Sequence, residues 1–326
     1  MRARILGVGR AVPEKVLTNH DLERLVDTDD EWIRTRTGIV ERHVLGPDEN
    51  CSDLVARAGA EAIARAGLTP DAIDALIVAT ATPDTVFPAT AAWAQPKLGL
   101  RNVPVFDLSA ACSGWLYGYI VADGLICAGT SKHVLVVGAE ALSRALNWED
   151  RNTCVLFGDG AGATVIGPNG DPRSGLLAHT WGADGRLTEL LYQPAGGTRM
   201  QASEETVAKK LHSIHMAGND VYKHAVRAMQ QGVEEVMAKT GASVDDIDLF
   251  IPHQANIRIM TAAADRAGLP PEKLYVTIHK YGNISAASIP ISLADAEEEG
   301  RLKKGDLVLT AAFGAGFTWA AALFRW

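Results

Sequence analysis

The sequence predicts an α/β protein made of two similar halves. One observation behind this is the alternation of short β-branched runs with Ala-rich helical stretches: DALIVAT (74–80), KHVLVVGAE (132–140), IDLFIPH (247–253) and GDLVLTAAF (305–313) are the clearest runs. The other is an internal repeat. AIARAGLTPDAIDALIV (62–78) lies without gaps on VMAKTGASVDDIDLFIP (236–252), so that Gly67 meets Gly241, and Asp71, Ile73 and Asp74 meet Asp245, Ile247 and Asp248. At a nearly equal offset SKHVLVVGAE matches KGDLVLTAAF, and the helical stretch after Cys112 matches the one after Asn283. Three pairs in one order argue for duplication, with halves at 1–172 and 173–326.

The N-terminal MRARILGVGRAVPEK has only a short apolar run before Gly and Pro, so it reads as a first strand and not as a signal peptide. The nearest approach to a membrane span is the Gly-interrupted stretch 114–129, short of the roughly 20 residues required. The expectation is a cytoplasmic protein without membrane insertion. The 326 residues carry a net charge of -8 and no block of like charges, which speaks against a nucleic-acid partner. Four cysteines, Cys51, Cys112, Cys127 and Cys154, lack CxxC or zinc spacing and are expected to be reduced.

Cys112 stands between an apolar strand (103–108) and a helix of buried character, among the small residues Ser109, Ala110, Ala111, Ser113 and Gly114. A thiol at a helix N-terminus, with an imidazole nearby, is expected to fall from about 8.5 into the range of roughly 3.5 to 7.5. Cys112 is therefore the candidate nucleophile, and Cys51, Cys127 and Cys154 are expected to be buried small hydrophobes. His253 follows a buried strand in IPHQANIRI and precedes a helix. Asn283, in GNISAAS, sits at the mouth of another helix, where N-capping explains it as well as a site does. If the two halves meet at their strand ends, the three polar residues converge on one cavity. His212 and His215 form HxxH without a carboxylate at ligand spacing, so no metal site is expected.

FGDGAGATVIG (157–167) fits GxGxxA formally, but ATVIG continues as a strand where a nicotinamide site needs a helix. FGAGFTWAAALF (313–324) reads as a turn between strands whose backbone N–H groups can face a cavity and help form an oxyanion hole opposite the Cys112 amide.

Seven segments in this order, DTDDEWIRTRTGIVERH (27–43), SAACSG (109–114), GAEALSRALNWEDRNTCVLFGDGAGA (138–163), MAGNDVYKHAV (216–226), PHQANIRI (252–259), GNISAAS (282–288) and FGAGFTW (313–319), are spread along nearly the whole chain. Together they resemble the β-ketoacyl-acyl-carrier-protein synthase III family, the initiating condensing enzymes of bacterial type II fatty acid synthesis. The resemblance implies a thiolase-like fold of two pseudo-symmetric halves, layered α-β-α-β-α. It implies that Cys112 takes an acyl group from acyl-CoA, and that His253 and Asn283 then assist decarboxylation of malonyl-acyl-carrier protein. The amides of Cys112 and Ala315 would hold the tetrahedral oxyanions. Trp32, Arg36 and Arg151 would clamp the CoA adenine and phosphates, with Thr28, Gly218, Asn256 and Arg258 along the pantetheine tunnel. Arg258 and Lys223 would meet the acidic carrier protein, and Phe87 would reach across a homodimer interface to limit the acyl pocket. No cofactor beyond the CoA substrate is implied.

Trp115, Asn152 and Ala315 depart from the residues usual in the family, and the segment 196–210 looks longer than usual. These departures bear on acyl-chain preference and the CoA mouth. Two other readings are a specialised condensation on the same Cys, His and Asn, and a non-catalytic CoA-binding protein. The intact Cys112, His253 and Asn283 count against the second.

Overall fold

A computed structural model describes residues 3–171 and 173–326; Pro172, where the sequence reading ends the first half, lies outside them. The first sheet has five strands: β1 (Ala3–Ala11), β2 (Ala75–Ala79), β3 (Val105–Leu108), β4 (Val134–Ala141) and β5 (Asp159–Pro168). Their order is β1-β5-β4-β2-β3. The second has four: β6 (Gly175–Ala183), β7 (Leu249–Phe250), β8 (Leu307–Gly314) and β9 (Thr318–Arg325), ordered β7-β8-β9-β6.

The two sheets share one plan. In the first, β1 and β4 pair antiparallel to β5 while β2 runs parallel to β4; in the second, β6 and β8 pair antiparallel to β9 while β7 runs parallel to β8. β3 is an additional strand, parallel to β2 and at the edge. The run IDLFIPH forms a strand over only Leu249–Phe250. Pairing with β8 nevertheless continues, since Ile251 N–H donates to Leu309 O and His253 N–H to Ala311 O, each at 2.9 Å.

Six helices matter for the site: α1 (Asp30–Thr37), α2 (Cys51–Arg65), α3 (Gly114–Cys127), α4 (Gly218–Thr240), α5 (Ile257–Arg266) and α6 (Ser288–Glu298). α3 is apolar nearly all round because it lies between the sheets, its Trp115, Leu116, Tyr119 and Ile126 sharing a core with Ile77, Val136, Ile251 and Val308. α6 joins this middle layer through Ile289, Leu293 and Ala294. Outside the first sheet, α2 buries Leu54, Val55, Ala58 and Ile63; outside the second, α4 buries Val221, Ala225, Met229 and Val233. The layers therefore run helix, sheet, helix, sheet, helix. Trp115 belongs to this framework: it is wholly buried, its indole N–H donates to Thr164 Oγ1 at 3.1 Å, and it lines neither cavity described below. The indole is therefore accommodated by core packing, away from both linings.

Candidate active site

β3 and α3 are joined by a short 3-10 turn, Ala111–Ser113, that carries Cys112. Ala111 is held at φ +45°, a left-handed conformation that costs a side-chain-bearing residue about 1–3 kcal/mol. The second half has the same elbow before α6: the turn Ser285–Ala287, with Ser285 also at φ +45°. Each elbow packs on a strand of the other half. A Cβ on Gly138 of β4 would lie 2.1 Å from Ala286 O, and one on Gly314 of β8 would lie 2.6 Å from Cys112 N. Only glycine permits these approaches.

His253 emerges from the end of β7, wholly buried, with Nδ1 2.7 Å from the Ser288 hydroxyl. Ser288 Oγ also accepts from Gln254 N–H at 3.3 Å; with the Ser288 hydroxyl assigned as donor to Nδ1, the ring proton sits on Nε2. Nε2 itself is buried and has no hydrogen-bond partner among the described residues. Gln254 fixes the loop, donating to Pro252 O and Tyr275 O and accepting from the Thr277 and Ile278 amides. Asn283 is held by two backbone bonds, its N–H donating to Leu156 O (2.8 Å) and its C=O accepting from Gly158 N–H (3.1 Å). The FGDGAGA segment thus serves as a clamp for Asn283. Asn283 Oδ1 accepts from Ser285 N–H at 2.9 Å, which leaves the Nδ2 donor for the cavity. The capping expectation does not hold: the N-cap of the Ser285–Ala287 turn is Ile284 and that of α6 is Ala287, neither with a side-chain cap, so the Oδ1 bond is local to the loop.

Cys112, His253 and Asn283 line one cavity of about 340 Å³. Trp32, Arg36, Gly218, Asn256 and Arg258 line it as well, together with Asn152. Arg36 and Arg151 each place a guanidinium carbon 5.0 Å from the Trp32 ring centroid. Arg151 is not in the lining; it donates to Asp27 O at 2.7 Å. Asn256 Oδ1 caps α5 by accepting from Arg258 N–H. Thr28 lies outside the lining, its buried Oγ1 without a hydrogen-bond partner among the described residues. Lys223 is exposed and paired with Asp220 at 3.1 Å, and Phe87 is 85% exposed, away from both cavities of its own chain.

A second cavity of about 120 Å³ shares Cys112, Phe157 and Leu191 with the first and continues past Thr82, Leu142, Gln193 and Ser285. Ala315 lines it. The Thr318 hydroxyl, 3.0 Å from Ala110 O and 3.2 Å from Ala315 O, ties the Ala315 turn to the Cys112 elbow. Thr318, Ser285 and Ser288 were missed from sequence; small hydroxyl residues carry no pattern that separates them from other turn and helix residues. The 196–210 segment, with a short helix at Glu204–Ala208, contributes to neither lining.

The electrostatics correct one expectation. Burial pushes the Cys112 thiol up to about 12; the field of Glu140 adds to this, while the Ser285 hydroxyl and the cysteine's own amide oppose it. A helix terminus supplies at most about 2 kcal/mol, whereas a rise of this size corresponds to about 4 kcal/mol. Removal of water outweighs the dipole, and the unliganded thiol keeps its proton. Burial likewise depresses His253 to about 3, so the imidazole is neutral and supplies no charge. Cys51 and Cys154 are buried as expected, but Cys127, in the last turn of α3, is exposed.

Comparison with known proteins fits this architecture. The family model of 3-oxoacyl-[acyl-carrier-protein] synthase III matches residues 106–185, and the model of its C-terminal region matches 237–326. The β-ketoacyl-[acyl-carrier-protein] synthase III of Symbiobacterium thermophilum is 54% identical over 322 residues, 99% of this chain and 97% of that protein. The chain belongs to the 3-oxoacyl-[acyl-carrier-protein] synthase III family. The synthase III of Caldanaerobacter subterraneus is 51% identical, over 99% of this chain and 98% of its own length. The crystal structure of the Aquifex aeolicus synthase III superposes with a TM-score of 0.92 at 47% identity, covering 99% of this chain and all of that one. The protein is thus a condensing enzyme of the acyltransferase type on a thiolase fold.

Proposed function

We propose that the protein condenses a short acyl-CoA primer with malonyl-acyl-carrier protein, releasing CO2 and CoA and giving the β-ketoacyl-carrier protein that begins fatty acid synthesis. The observation that supports this reading best is the meeting of Cys112, His253 and Asn283 in one cavity, far apart though they are in the chain. Cys112 accepts the acyl group. Malonyl thioester then enters, and as CO2 leaves, charge collects on the thioester oxygen, where His253 Nε2–H and Asn283 Nδ2–H donate. Preorganised donors of this kind are each worth about a hundred- to a thousandfold in rate. The enolate carbon attacks the acyl-cysteine, with the Cys112 and Ala315 amides receiving the oxyanion. The acyl group arrives activated as a thioester and loss of CO2 supplies the carbanion, so the chemistry needs neither metal nor nicotinamide.

Trp32, Arg36 and Arg151 receive the CoA nucleotide, and Thr28, Gly218, Asn256 and Arg258 follow the pantetheine arm. Arg258 at the cavity and Lys223 nearby meet the acidic carrier protein; the exposed Lys223–Asp220 pair is worth only about 0–1 kcal/mol and is cheaply exchanged. The working unit is a homodimer. Val86, Phe87, Trp93 and Phe106 are exposed apolar side chains, and Phe106 lies on the edge strand β3; a second copy would cover them and bring Phe87 to its partner's acyl pocket. A sedimentation mass of one chain would sink that part. The halves divide at 172/173, a boundary supported by the shared plan of the two sheets, and the enzyme works in the cytoplasm beside its soluble substrates.

The test is mass analysis of the Cys112 peptide after mixing with acetyl-CoA. Stoichiometric acylation is expected, absent in Cys112→Ser; a Cys112→Ser enzyme that still condenses at full rate overturns the reading.

A further inference from the structure

Arg42, in the short strand Glu41–His43 opposite Leu17, is wholly buried. Burial pushes its guanidinium down to about 10, so it stays charged at neutral pH. Among the described residues its hydrogen bonds all go to neutral oxygens. Nη1 donates to Leu17 O at 3.1 Å and to Asn19 Oδ1 at 2.9 Å, and Nη2 donates to Val155 O at 2.7 Å. Nε has no hydrogen-bond partner among the described residues. A buried charge without an opposite charge beside it is costly, and a well-packed apolar side chain of the same volume is often the more stable choice. What an apolar side chain cannot do is hold a carbonyl in place.

Val155 closes the short helix Arg151–Cys154, at an end where backbone oxygens lack helical partners. The next three residues are the clamp on Asn283. Leu156 O accepts from Asn283 N–H at 2.8 Å, Phe157 forms a parallel bridge with Asn283, and Gly158 N–H donates to Asn283 O at 3.1 Å. Leu156 and Phe157 also line the cavity. The stem of Arg42 packs directly against this clamp: a Cβ on Gly158 would lie 3.0 Å from Arg42 Cβ, and one on Gly282 would lie 3.2 Å from it. Asn19 steadies the head. Its Nδ2 hydrogens go to Asp30 Oδ1 at 2.9 Å and Ile39 O at 2.8 Å, which turns its Oδ1 toward the guanidinium.

We propose that Arg42 is a positioning residue for Asn283, setting through the Val155 carbonyl where the Asn283 amide meets the malonyl thioester oxygen. The path is made of bonds: from Arg42 Nη2 to Val155 O, along the chain by one residue to Leu156 O, and from there to Asn283 N–H. Without the guanidinium, the Val155 carbonyl loses its buried donor, the clamp relaxes, and Asn283 Nδ2 moves off the enolate oxygen. The Cys112 elbow is held by different contacts, the close approach of Gly314 and the Thr318 hydroxyl on Ala110 O. Acyl uptake is therefore spared.

This inference rests on Asn283 serving decarboxylation, and a double-mutant cycle separates the two. CO2 release from malonyl-carrier protein is measured on enzyme acylated beforehand to completion, and Cys112 acylation at saturating acetyl-CoA, in the wild type, Arg42→Met, Asn283→Ala and the double variant. Arg42→Met keeps an unbranched stem and removes the donors. It is expected to slow CO2 release by about ten- to a hundredfold, the scale of a misplacement of about 1 Å, and to leave acylation within about threefold. In the Asn283→Ala background the same replacement is expected to slow CO2 release by no more than about threefold, because the group it positions is gone. Arg42→Lys keeps the charge on a single donor atom and is expected to fall between the wild type and Arg42→Met. It takes the place of Arg42→Met in the cycle if the methionine variant does not fold. Losses that multiply through the cycle overturn the inference, as does CO2 release at full rate in Arg42→Met. So does equal slowing of both half-reactions, which marks a general structural role. An Asn283→Ala enzyme that releases CO2 at the wild-type rate overturns the reading of Asn283 itself.

Discussion

Replacing Ser288 by alanine isolates the proton that His253 presents to the substrate. In the native structure the Ser288 hydroxyl lies 2.7 Å from Nδ1 and accepts from Gln254 N–H. Ser288→Ala leaves two buried polar groups without partners, each costing about 1–3 kcal/mol, so unfolding free energy should drop by about 2–6 kcal/mol on the same scale. The functional effect is separate. Without a donor at Nδ1 the ring proton can move there, and Nε2 then turns a lone pair toward the enolate oxygen. Loss of one such donor costs about a hundred- to a thousandfold. CO2 release from malonyl-carrier protein should therefore fall by at least about tenfold, toward that ceiling, while acylation of Cys112 stays within about threefold. The ring nitrogen resonances of His253 report the tautomer directly. Equal slowing of both half-reactions, or unchanged CO2 release with unchanged nitrogen shifts, would refute the reasoning.

Two further outcomes follow from burial and close packing. His253 is depressed from 6.5 to about 3, so the unfolded chain binds a proton below pH 6.5 that the folded chain refuses until about pH 3. The stability due to the neutral ring is complete above pH 6.5 and is lost as pH falls toward 3, a change on the order of 5 kcal/mol. Urea unfolding at pH 7, 5 and 4 should show a shallower acid loss in His253→Gln than in the wild type, and identical slopes would count against it. Gly314→Ala places a Cβ 2.6 Å from Cys112 N, so the elbow must shift at a cost of about 1–3 kcal/mol. Acylation should slow by tenfold or more, roughly the rate equivalent of such a cost, and a Gly314→Ala enzyme that acylates normally would show that the elbow yields freely.

The sequence by itself determined the alternation of strands and helices, the internal repeat, and the positions of Cys112, His253 and Asn283 at strand and helix ends, because these are carried by local periodicity and by residues spaced along a single stretch. The contacts of those residues were decided only by folding. Asn283 presents its nitrogen to the cavity because its oxygen is tied to Ser285 and its backbone to Leu156 and Gly158. The His253 proton is placed by Ser288, on a helix 35 residues away. The thiol keeps its proton although a helix begins beside it, and Trp115 turns into the core while Cys127 faces solvent. Desolvation is set by everything that surrounds a group, and here Asn283 is held by Leu156 and Gly158 of the other half while His253 is enclosed by Ser288 and Phe313 of its own.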